Sequence, residues 1–293
     1  VVGAIASGTY LWLANKSQKT PVQSVFANTE NEVSVIGNKI RIIDGTALLN
    51  EPHRRALLQQ IQDRLAFTPQ SYEQDVLGLL LKYAEFVQQL PASESHHHAH
   101  PGGLLDHTLE VAAIALRISA SLEMPLHTAT EDRKKLAPVW RYGLLVAAIL
   151  HDVGKPLTNL IVNMYESPES KDPIRWHPDA GDMLSIPQYQ WYNVSFHQVN
   201  PDYTAHERLG WSLFNVIVPI HARNWIATTD QRLVEALRQY LTGTDVEPFS
   251  KVLKQADSES TANNLRCGSK IRFASAKRQP IRELLMENLR EML

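Results

Sequence analysis

The sequence lacks several features that mark common protein classes. Its 293 residues include one cysteine, Cys267, which excludes an internal disulfide and a cysteine-rich zinc site and fits a reducing compartment. Basic and acidic residues nearly balance, 29 against 31, so the chain as a whole has no electrostatic footprint for nucleic acid. The pattern G-x-x-x-x-G-K-[ST] does not occur, which excludes a nucleotide-driven motor of the P-loop type.

The start of the chain is apolar but short for a membrane span. Residues 1–14 are mostly apolar, whereas a membrane helix needs about 20 such residues. Two alternatives stay open, namely the tail of a truncated span followed by Lys16 and Lys19, or a short helix packed on the domain. Because the sequence begins with Val1, we expect the full product to extend upstream.

Helical periodicity dominates the chain from residue 52 onward, with apolar residues at i, i+3 and i+4 spacing. It predicts helices at residues 53–65, 72–89, 104–120, 134–152, 204–218, 230–241, 248–257 and 280–293. Residues 32–43 alternate around Gly37-Asn38 and predict a small hairpin, and residues 160–165 predict a strand. The expected fold is mainly α, a helical bundle with small peripheral β hairpins.

Histidine is the enriched residue, with twelve copies in the chain. His151 and Asp152 follow an apolar helix, and a buried His beside a buried Asp is costly unless each finds a partner such as a divalent cation. Gly154 is expected to let the chain turn tightly after this pair. Lys155 is expected to place a positive charge beside the metal, suited to a phosphate oxygen.

Two further candidate ligands lie far from this pair in the sequence. His107 lies in the motif GGLLDHTLEV, early in a helix and on its apolar face, so we expect it to point inward. Glu110, one turn later, is expected to orient His107 through a hydrogen bond. Asp257 follows an apolar helix, where it serves either as a last ligand or as a helix-capping residue.

The order of these residues resembles that of the HD-domain metal-dependent phosphohydrolases. A His is followed 44 residues later by a His-Asp pair, and an Asp follows far downstream. The resemblance implies an HD-type helical bundle in which His107, His151, Asp152 and Asp257 bind a divalent metal that activates water against a phosphoester. Mixed His and carboxylate ligands favour Mn or Fe over Mg.

A narrower resemblance covers residues 43–264. The motif YAEFVQQLPASESHHH running into HPGGLLDH, together with LHDVGKPLT and YTAH, is similar to the MobH-type relaxases of integrating conjugative elements and large plasmids, once described as helicases. It implies nicking and transfer of one DNA strand. The expected partners are single-stranded DNA or an origin of transfer and proteins of the conjugation machinery. Such relaxases carry a further C-terminal region. The expected location is the cytoplasm, with membrane association through the N-terminus as an alternative.

Other polar and aromatic residues leave alternatives open. His97 and His98, in the loop of residues 96–98, belong either to a second-metal or phosphate-binding group with a catalytic role or to a solvated loop. His206 is expected as an additional metal ligand. Tyr189 and Tyr192 are candidates for a DNA-attacking nucleophile, by proximity to the expected cleft alone.

The aromatic residues between the His-Asp pair and His206 either stack unpaired bases or pack in the core, and packing is favoured. They are Trp176, Tyr189, Trp191, Tyr192 and Tyr203.

We expect three regions: an N-terminal extension over residues 1–50 with the apolar start and the hairpin, an HD-type metal-binding helical domain over residues 51–265, and a linker with an amphipathic helix over residues 266–293. Two other functions remain open beside the relaxase-like one. One is a nucleotide phosphohydrolase acting on small substrates, and the other is a DNA-binding or assembly module with a vestigial metal site.

Overall fold

The predicted mainly α fold with a small β region is confirmed by a computed structural model, which describes residues 35–197 and 205–267 together with 273, 275 and 276. The first six helices are α1 (Gly45–Leu49), α2 (Pro52–Leu65), α3 (Pro69–Ser71), α4 (Gly78–Val87), α5 (Gly103–Ser119) and α6 (Thr130–Leu150). The remaining five are α7 (Lys155–Thr158), α8 (Gly210–Ile217), α9 (Ile220–Thr229), α10 (Gln231–Leu241) and α11 (Phe249–Cys267). A π-helical segment, Tyr72–Leu77, joins α3 to α4.

Helix α5 lies at the centre of the described helices and packs against α2, α6 and α11. Most of its side chains are buried, including Leu104, Leu105 and Leu109, none of which has exposed surface. The second half of α6 is buried without interruption from Tyr142 to Leu150. Apolar burial on this scale is the main stabilising contribution to folding. Polar groups carried by these two helices are therefore held in a rigid, water-poor interior.

The strands form one antiparallel sheet in the order β1-β2-β5-β3-β4. They are β1 (Val35–Ile36), β2 (Lys39–Arg41), β3 (Leu160–Tyr165), β4 (Ile174–Arg175) and β5 (Trp191–Phe196). The predicted hairpin is present, and Gly37 supplies the positive φ of +64° that its two-residue turn requires. Strand β5 was not predicted, and it joins the hairpin to the predicted strand β3. The expected separate hairpins are thus parts of one sheet.

The aromatic residues near this sheet pack in the core. Trp176 and Trp191 are buried, and Tyr192 has no exposed surface. The hydroxyl of Tyr192 accepts a hydrogen bond from the backbone N–H of Gln89, which ties β5 to the segment that follows α4. The packing interpretation is confirmed for these three residues, whereas Tyr203 lies outside the described residues.

Two helix predictions were wrong in their bounds. The helix expected at residues 248–257 continues to Cys267, so that Asp257 lies inside α11 and does not cap its end. The hydroxyl of Ser258 donates to the carbonyl of Lys254 within the same helix. The helix expected at residues 204–218 is broken into the 3₁₀ turn Ala205–Arg208 and α8. Helices α1, α3, α7 and α9 were not predicted.

One apolar segment of the described chain, Thr130–Thr158, has the length and composition of a membrane-crossing helix. Its most apolar window is 72% buried inside the protein, which is typical of a core helix. The apolar start at residues 1–14 and the helix expected at residues 280–293 lie outside the described residues.

Candidate metal centre

The structure brings the four side chains of the expected metal set together, from α5, the end of α6 and α11. His107 Nε2 lies 3.1 Å from Asp257 Oδ1 and 3.5 Å from Asp152 Oδ2. His151 Nε2 lies 3.3 Å from the same oxygen of Asp152. His107 has no exposed surface and Asp152 is buried, whereas the side chain of Asp257 is about half exposed. The cluster therefore sits at the inner end of an opening.

Hydrogen bonds on the outer side of each ring fix the tautomers of both histidines. His151 Nδ1 lies 2.7 Å from the carbonyl oxygen of Ala148, and because a carbonyl only accepts, Nδ1 carries the proton. Ser260 Oγ donates its proton to Glu110 Oε2 at 2.7 Å. Because that proton is used, Ser260 Oγ accepts the Nδ1 proton of His107 at 3.1 Å. Both rings thus turn an Nε2 lone pair toward the two carboxylates. Glu110 was expected to act on His107 directly, but it acts through Ser260.

The Nε2 atoms of His107 and His151 indicate that a ligand binds between the two rings. Within the described residues, the Nε2 atoms of His107 and His151 are buried and have no hydrogen-bond partner in acceptable geometry. A buried acceptor without a partner costs about 1–3 kcal/mol. A divalent cation accepts imidazole lone pairs and carboxylate oxygens together, so the donor set fits such an ion. The outer hydrogen bonds are those that commonly orient metal-binding imidazoles.

The carboxylates of the cluster stay ionised. Burial alone would raise the pKa of Asp152, but the Lys155 ammonium, with His151 and His107 beside the carboxylate, holds it well below its usual range. Burial likewise opposes ionisation of Asp257, and the neighbouring His107 and His151 keep its pKa lowered. For His151 burial lowers the pKa, and the nearby Asp152 outweighs that effect and raises it. The centre therefore presents negative charge to a cation at neutral pH.

Lys155 and His206 also contact Asp152, Lys155 at the oxygen that faces His107 and His151 and His206 at the other oxygen. Lys155 Nζ donates to Asp152 Oδ2 at 2.5 Å, so the ammonium expected to face phosphate is engaged by the carboxylate. His206 Nε2 lies 3.2 Å from Asp152 Oδ1. The chain turns after the His-Asp pair as expected, with Lys155 N–H donating to the Asp152 carbonyl at 3.0 Å, but Gly154 has an ordinary φ of −75° that other residues adopt as well. A side chain at Gly154 would instead meet the backbone oxygen of His206 at 2.3 Å, so glycine lets these two segments approach.

The histidine loop packs against the centre. His96 is exposed, His97 is half-buried and His98 is buried, so the solvated-loop interpretation is wrong for the last two. The nearest ring nitrogens of His97, His98 and His107 lie within 4.8 Å of one another, so these residues form a second cluster of ligand types that shares His107 with the first. Burial, with His107 and Lys155 nearby, lowers the pKa of His97 to about 3, so this ring is neutral at pH 7.

Glu110 also sets the tautomers in this loop. Its Oε2 atom accepts from His98 Nε2 at 3.2 Å, and burial lowers the pKa of His98 and keeps the ring neutral. The Nδ1 of His98 is then an acceptor for the Nδ1 proton of His97, 3.2 Å away. His97 is left with its Nε2 lone pair free to bind a ligand. The Glu110 carboxylate thus orients three imidazoles. It acts on His98 directly, on His97 through His98, and on His107 through Ser260.

A second carboxylate, which the sequence interpretation missed, anchors the loop from outside. Asp106 is buried and accepts from Arg54 Nε at 2.6 Å, His53 Nε2 at 2.8 Å and His100 Nε2 at 2.9 Å. Burial alone would raise the pKa of Asp106, but the hydrogen bonds from His100 and His53 and the charge of Arg54 lower it far below its usual value. Its position next to His107 was the available signal, because a charged residue on a buried helix face needs partners.

A cleft of about 470 Å³ opens over the centre, which is the size of a small-molecule site. His97, His151, Asp152, Lys155, His206 and Asp257 all line it. Tyr240 also lines it and was missed, whereas the two tyrosines expected near the cleft, Tyr189 and Tyr192, are not among its lining residues. The hydroxyl of Tyr240 lies near two carboxylates, and burial together with Asp152 and Asp257 raises its pKa.

The fold and the site together define a helical domain with a histidine-aspartate cluster suited to a divalent cation. The chain belongs to the TraI_2 family, described as “Putative helicase”, whose model matches residues 40–293. A stretch of 70 residues is 36% identical to the dihydroneopterin 2',3'-cyclic phosphate phosphodiesterase of Methanocaldococcus jannaschii and covers 24% of each protein. The chain therefore matches about a quarter of the length of that relative.

Proposed function

We propose that the protein is a divalent-metal-dependent phosphodiesterase that cleaves a DNA strand during conjugative transfer. The two buried imidazole lone pairs of His107 and His151, facing ionised carboxylates, carry the proposal. Membership of the TraI_2 family supports a role in DNA processing, and the phosphodiesterase relative supports hydrolysis of a phosphoester. A helicase activity has no support in the sequence, because the phosphate loop of P-loop motors is missing.

His107, His151, Asp152 and Asp257 would hold the metal. His206 would be an additional ligand of that ion or of a second one. When bound, Mn, Fe or Mg would supply a polarised water and a Lewis acid for the phosphate. The chain's own residues do the rest. Lys155 stabilises the ionised form of Asp152. His97 stays neutral at pH 7 and so offers a lone pair at the wall of the cleft.

The expected partners are single-stranded DNA at an origin of transfer and proteins of the conjugation machinery. A second candidate function is hydrolysis of small nucleotides, which the limited volume of the cleft, about 470 Å³, and the cyclic-phosphate substrate named for the relative favour. A DNA-binding module with a vestigial metal site is a third candidate. The orphaned lone pairs argue against it, because a disused site is under no constraint to keep them.

Purified protein loaded with Mn should cleave a single-stranded oligonucleotide. The variant His107→Gln removes one lone pair while it keeps a polar side chain in the buried position. We expect it to lower kcat/KM at least 100-fold, because a ligand and its outer hydrogen bond are lost together. Rates are measured on the oligonucleotide, on nucleoside mono- and triphosphates, and on bis(p-nitrophenyl) phosphate.

The matched control is His221→Gln, an exposed histidine on α9, which should leave every rate unchanged. Cleavage of the small nucleotides alone would favour the second candidate function. Retention of DNA and Mn without any cleavage would favour the binding module. Full activity of His107→Gln would contradict the metal-dependent mechanism.

A further inference from the structure

A second cavity adjoins the cleft at Lys155. It holds about 190 Å³, and Lys155 borders both spaces. Its walls come from the segment between α4 and α5 and from the neighbouring ends of β3 and β5. This volume lies below the range of sites for drug-sized ligands, so the cavity has room for one ring system and not for a length of DNA.

The lining has the chemistry of a site for a planar heteroaromatic ring. Apolar contact comes from Pro91, Leu160 and Phe196, and an aromatic side chain is the usual partner of a nucleobase. Hydrogen-bonding groups come from Asn159 and His197. The amide oxygen of Asn159 accepts from Thr158 Oγ1, which leaves its NH₂ group to donate, and the imidazole of His197 can donate or accept. This combination matches the flat faces and polar edge of a nucleobase.

The charges at the cavity are unsuited to a phosphate. Glu94 borders the space, and a carboxylate repels a phosphate group. The ammonium of Lys155, which also borders it, donates to Asp152 at 2.5 Å, on the side of the metal centre. A neutral ring therefore fits this cavity better than an anionic group, while an anion belongs beside Lys155 in the cleft.

We propose that this cavity binds the nucleobase of the nucleotide next to the cleaved phosphate, so that base and phosphate lie on either side of Lys155. The proposal rests on the proposed function, because it takes the cleft as the place where the phosphate is cleaved. It makes a nucleotide, and not a bare phosphodiester, the preferred substrate of the centre.

The test uses d(TpT), its two analogues that each lack one base, and bis(p-nitrophenyl) phosphate. In the wild-type protein, removal of one of the two bases should lower kcat/KM at least tenfold. Asn159→Leu keeps the branched shape of the side chain and the backbone bond from His197 N–H to the Asn159 carbonyl, but removes the amide together with its bond from Thr158. It should lower kcat/KM for d(TpT) about tenfold and change the rate on bis(p-nitrophenyl) phosphate by less than twofold.

The most specific expectation concerns the variant and the analogue together. On the analogue that lacks the bound base, Asn159→Leu should lower kcat/KM no further than the loss of the base does, because both changes remove the same interaction. The matched control is Asn224→Leu, an exposed asparagine on α9, which should change no rate. Equal kcat/KM for d(TpT) and both analogues in the wild-type protein would overturn the proposal. An equal loss on every substrate in Asn159→Leu would overturn it as well.

Equilibrium binding of d(TpT) and its analogues separates this proposal from the proposed function. If no substrate is cleaved but binding still depends on one base and on Asn159, the cavity assignment stands and the phosphodiesterase assignment fails. If cleavage occurs and binding is independent of both bases, the phosphodiesterase assignment stands and the cavity assignment fails. The wild-type comparison decides the case even where Asn159→Leu does not fold.

Discussion

Single hydrogen bonds on the outer side of the metal centre decide which nitrogen of each histidine faces inward. Ser260 shows this most directly, because it has no exposed surface and joins His107 to Glu110. Without its hydroxyl, His107 Nδ1 loses the acceptor that fixes the ring. The other tautomer, with a proton on Nε2, then becomes accessible, and a protonated Nε2 cannot bind a metal.

Ser260→Ala should therefore weaken Mn binding by about 10–100-fold, the usual effect of losing an outer hydrogen bond to a metal-binding histidine. The affinity is measured by calorimetric titration at pH 7. Ser258→Ala is the control, since Ser258 lies on the same helix, is exposed and bonds within that helix. Equal affinities in the two variants would show that the hydroxyl does not orient His107.

At this scale the sequence identifies residue types better than it identifies partners. The spacing of His107, the His-Asp pair and Asp257 was enough to select four side chains that the structure brings together. The partners Ser260 and Asp106 could not be found this way. Both contacts join residues far apart in the chain, such as Ser260 with His107 and Asp106 with Arg54, and no periodicity marks such pairs.

At the scale of elements, local signals predicted most helices and failed where tertiary contacts decide the outcome. Strand β3 and the Gly37 turn follow from alternation and turn chemistry, which act over a few residues. Strand β5 could not be predicted with the same rules, because its aromatic residues suit a core segment of either kind. The extension of α11 beyond Asp257 depends on its packing against α5, and serine-rich sequence alone favours a turn.

The start of α10 offers a test of electrostatics away from the metal centre. Asp230 caps this helix, accepts from the backbone N–H of Arg232 at 3.1 Å and accepts from Trp140 Nε1 at 3.0 Å. Burial alone would raise the pKa of Asp230, but these bonds and the Arg232 guanidinium lower it. A lowered pKa means that the ionised form stabilises the fold above the ordinary value of 3.8, and that this contribution is lost as the pH falls below it.

Asp230→Asn keeps an oxygen at the cap and removes the charge. At pH 7 it should lower the free energy of unfolding by roughly 1.5–3 kcal/mol, the range for hydrogen bonds to charged groups. The difference from the wild type should shrink as the pH falls below the ordinary value of 3.8, because the carboxylate of the unfolded chain is protonated first and the folded one only at its lowered pKa. Urea unfolding across this pH range measures it. A difference that stays constant with pH would rule out the charge as its source.

At the scale of the whole molecule, the centre joins parts of the chain that are 150 residues apart, from His107 to Asp257. Helix α5 supplies one ligand from the core, the end of α6 supplies two, and α11 supplies the fourth from the side that faces the cleft. A cation bound there would hold α11 against the core. Binding that is specific to the folded state stabilises that state, so metal affinity and unfolding temperature are linked.

Mn at 100 times its dissociation constant should stabilise the protein by about 2.7 kcal/mol, and for a chain of this size that raises the unfolding temperature by roughly 5–10 °C. Asp257→Asn should lose most of this rise, because a half-exposed ligand can be changed with little damage to the metal-free fold. Glu259→Gln is the control, since it removes one charge from the same helix, where Glu259 forms an exposed pair with Arg117. Calorimetric scans with and without Mn measure both variants. A full Mn-dependent rise in Asp257→Asn would remove α11 from the metal centre and leave the binding role to the three ligands of α5 and α6.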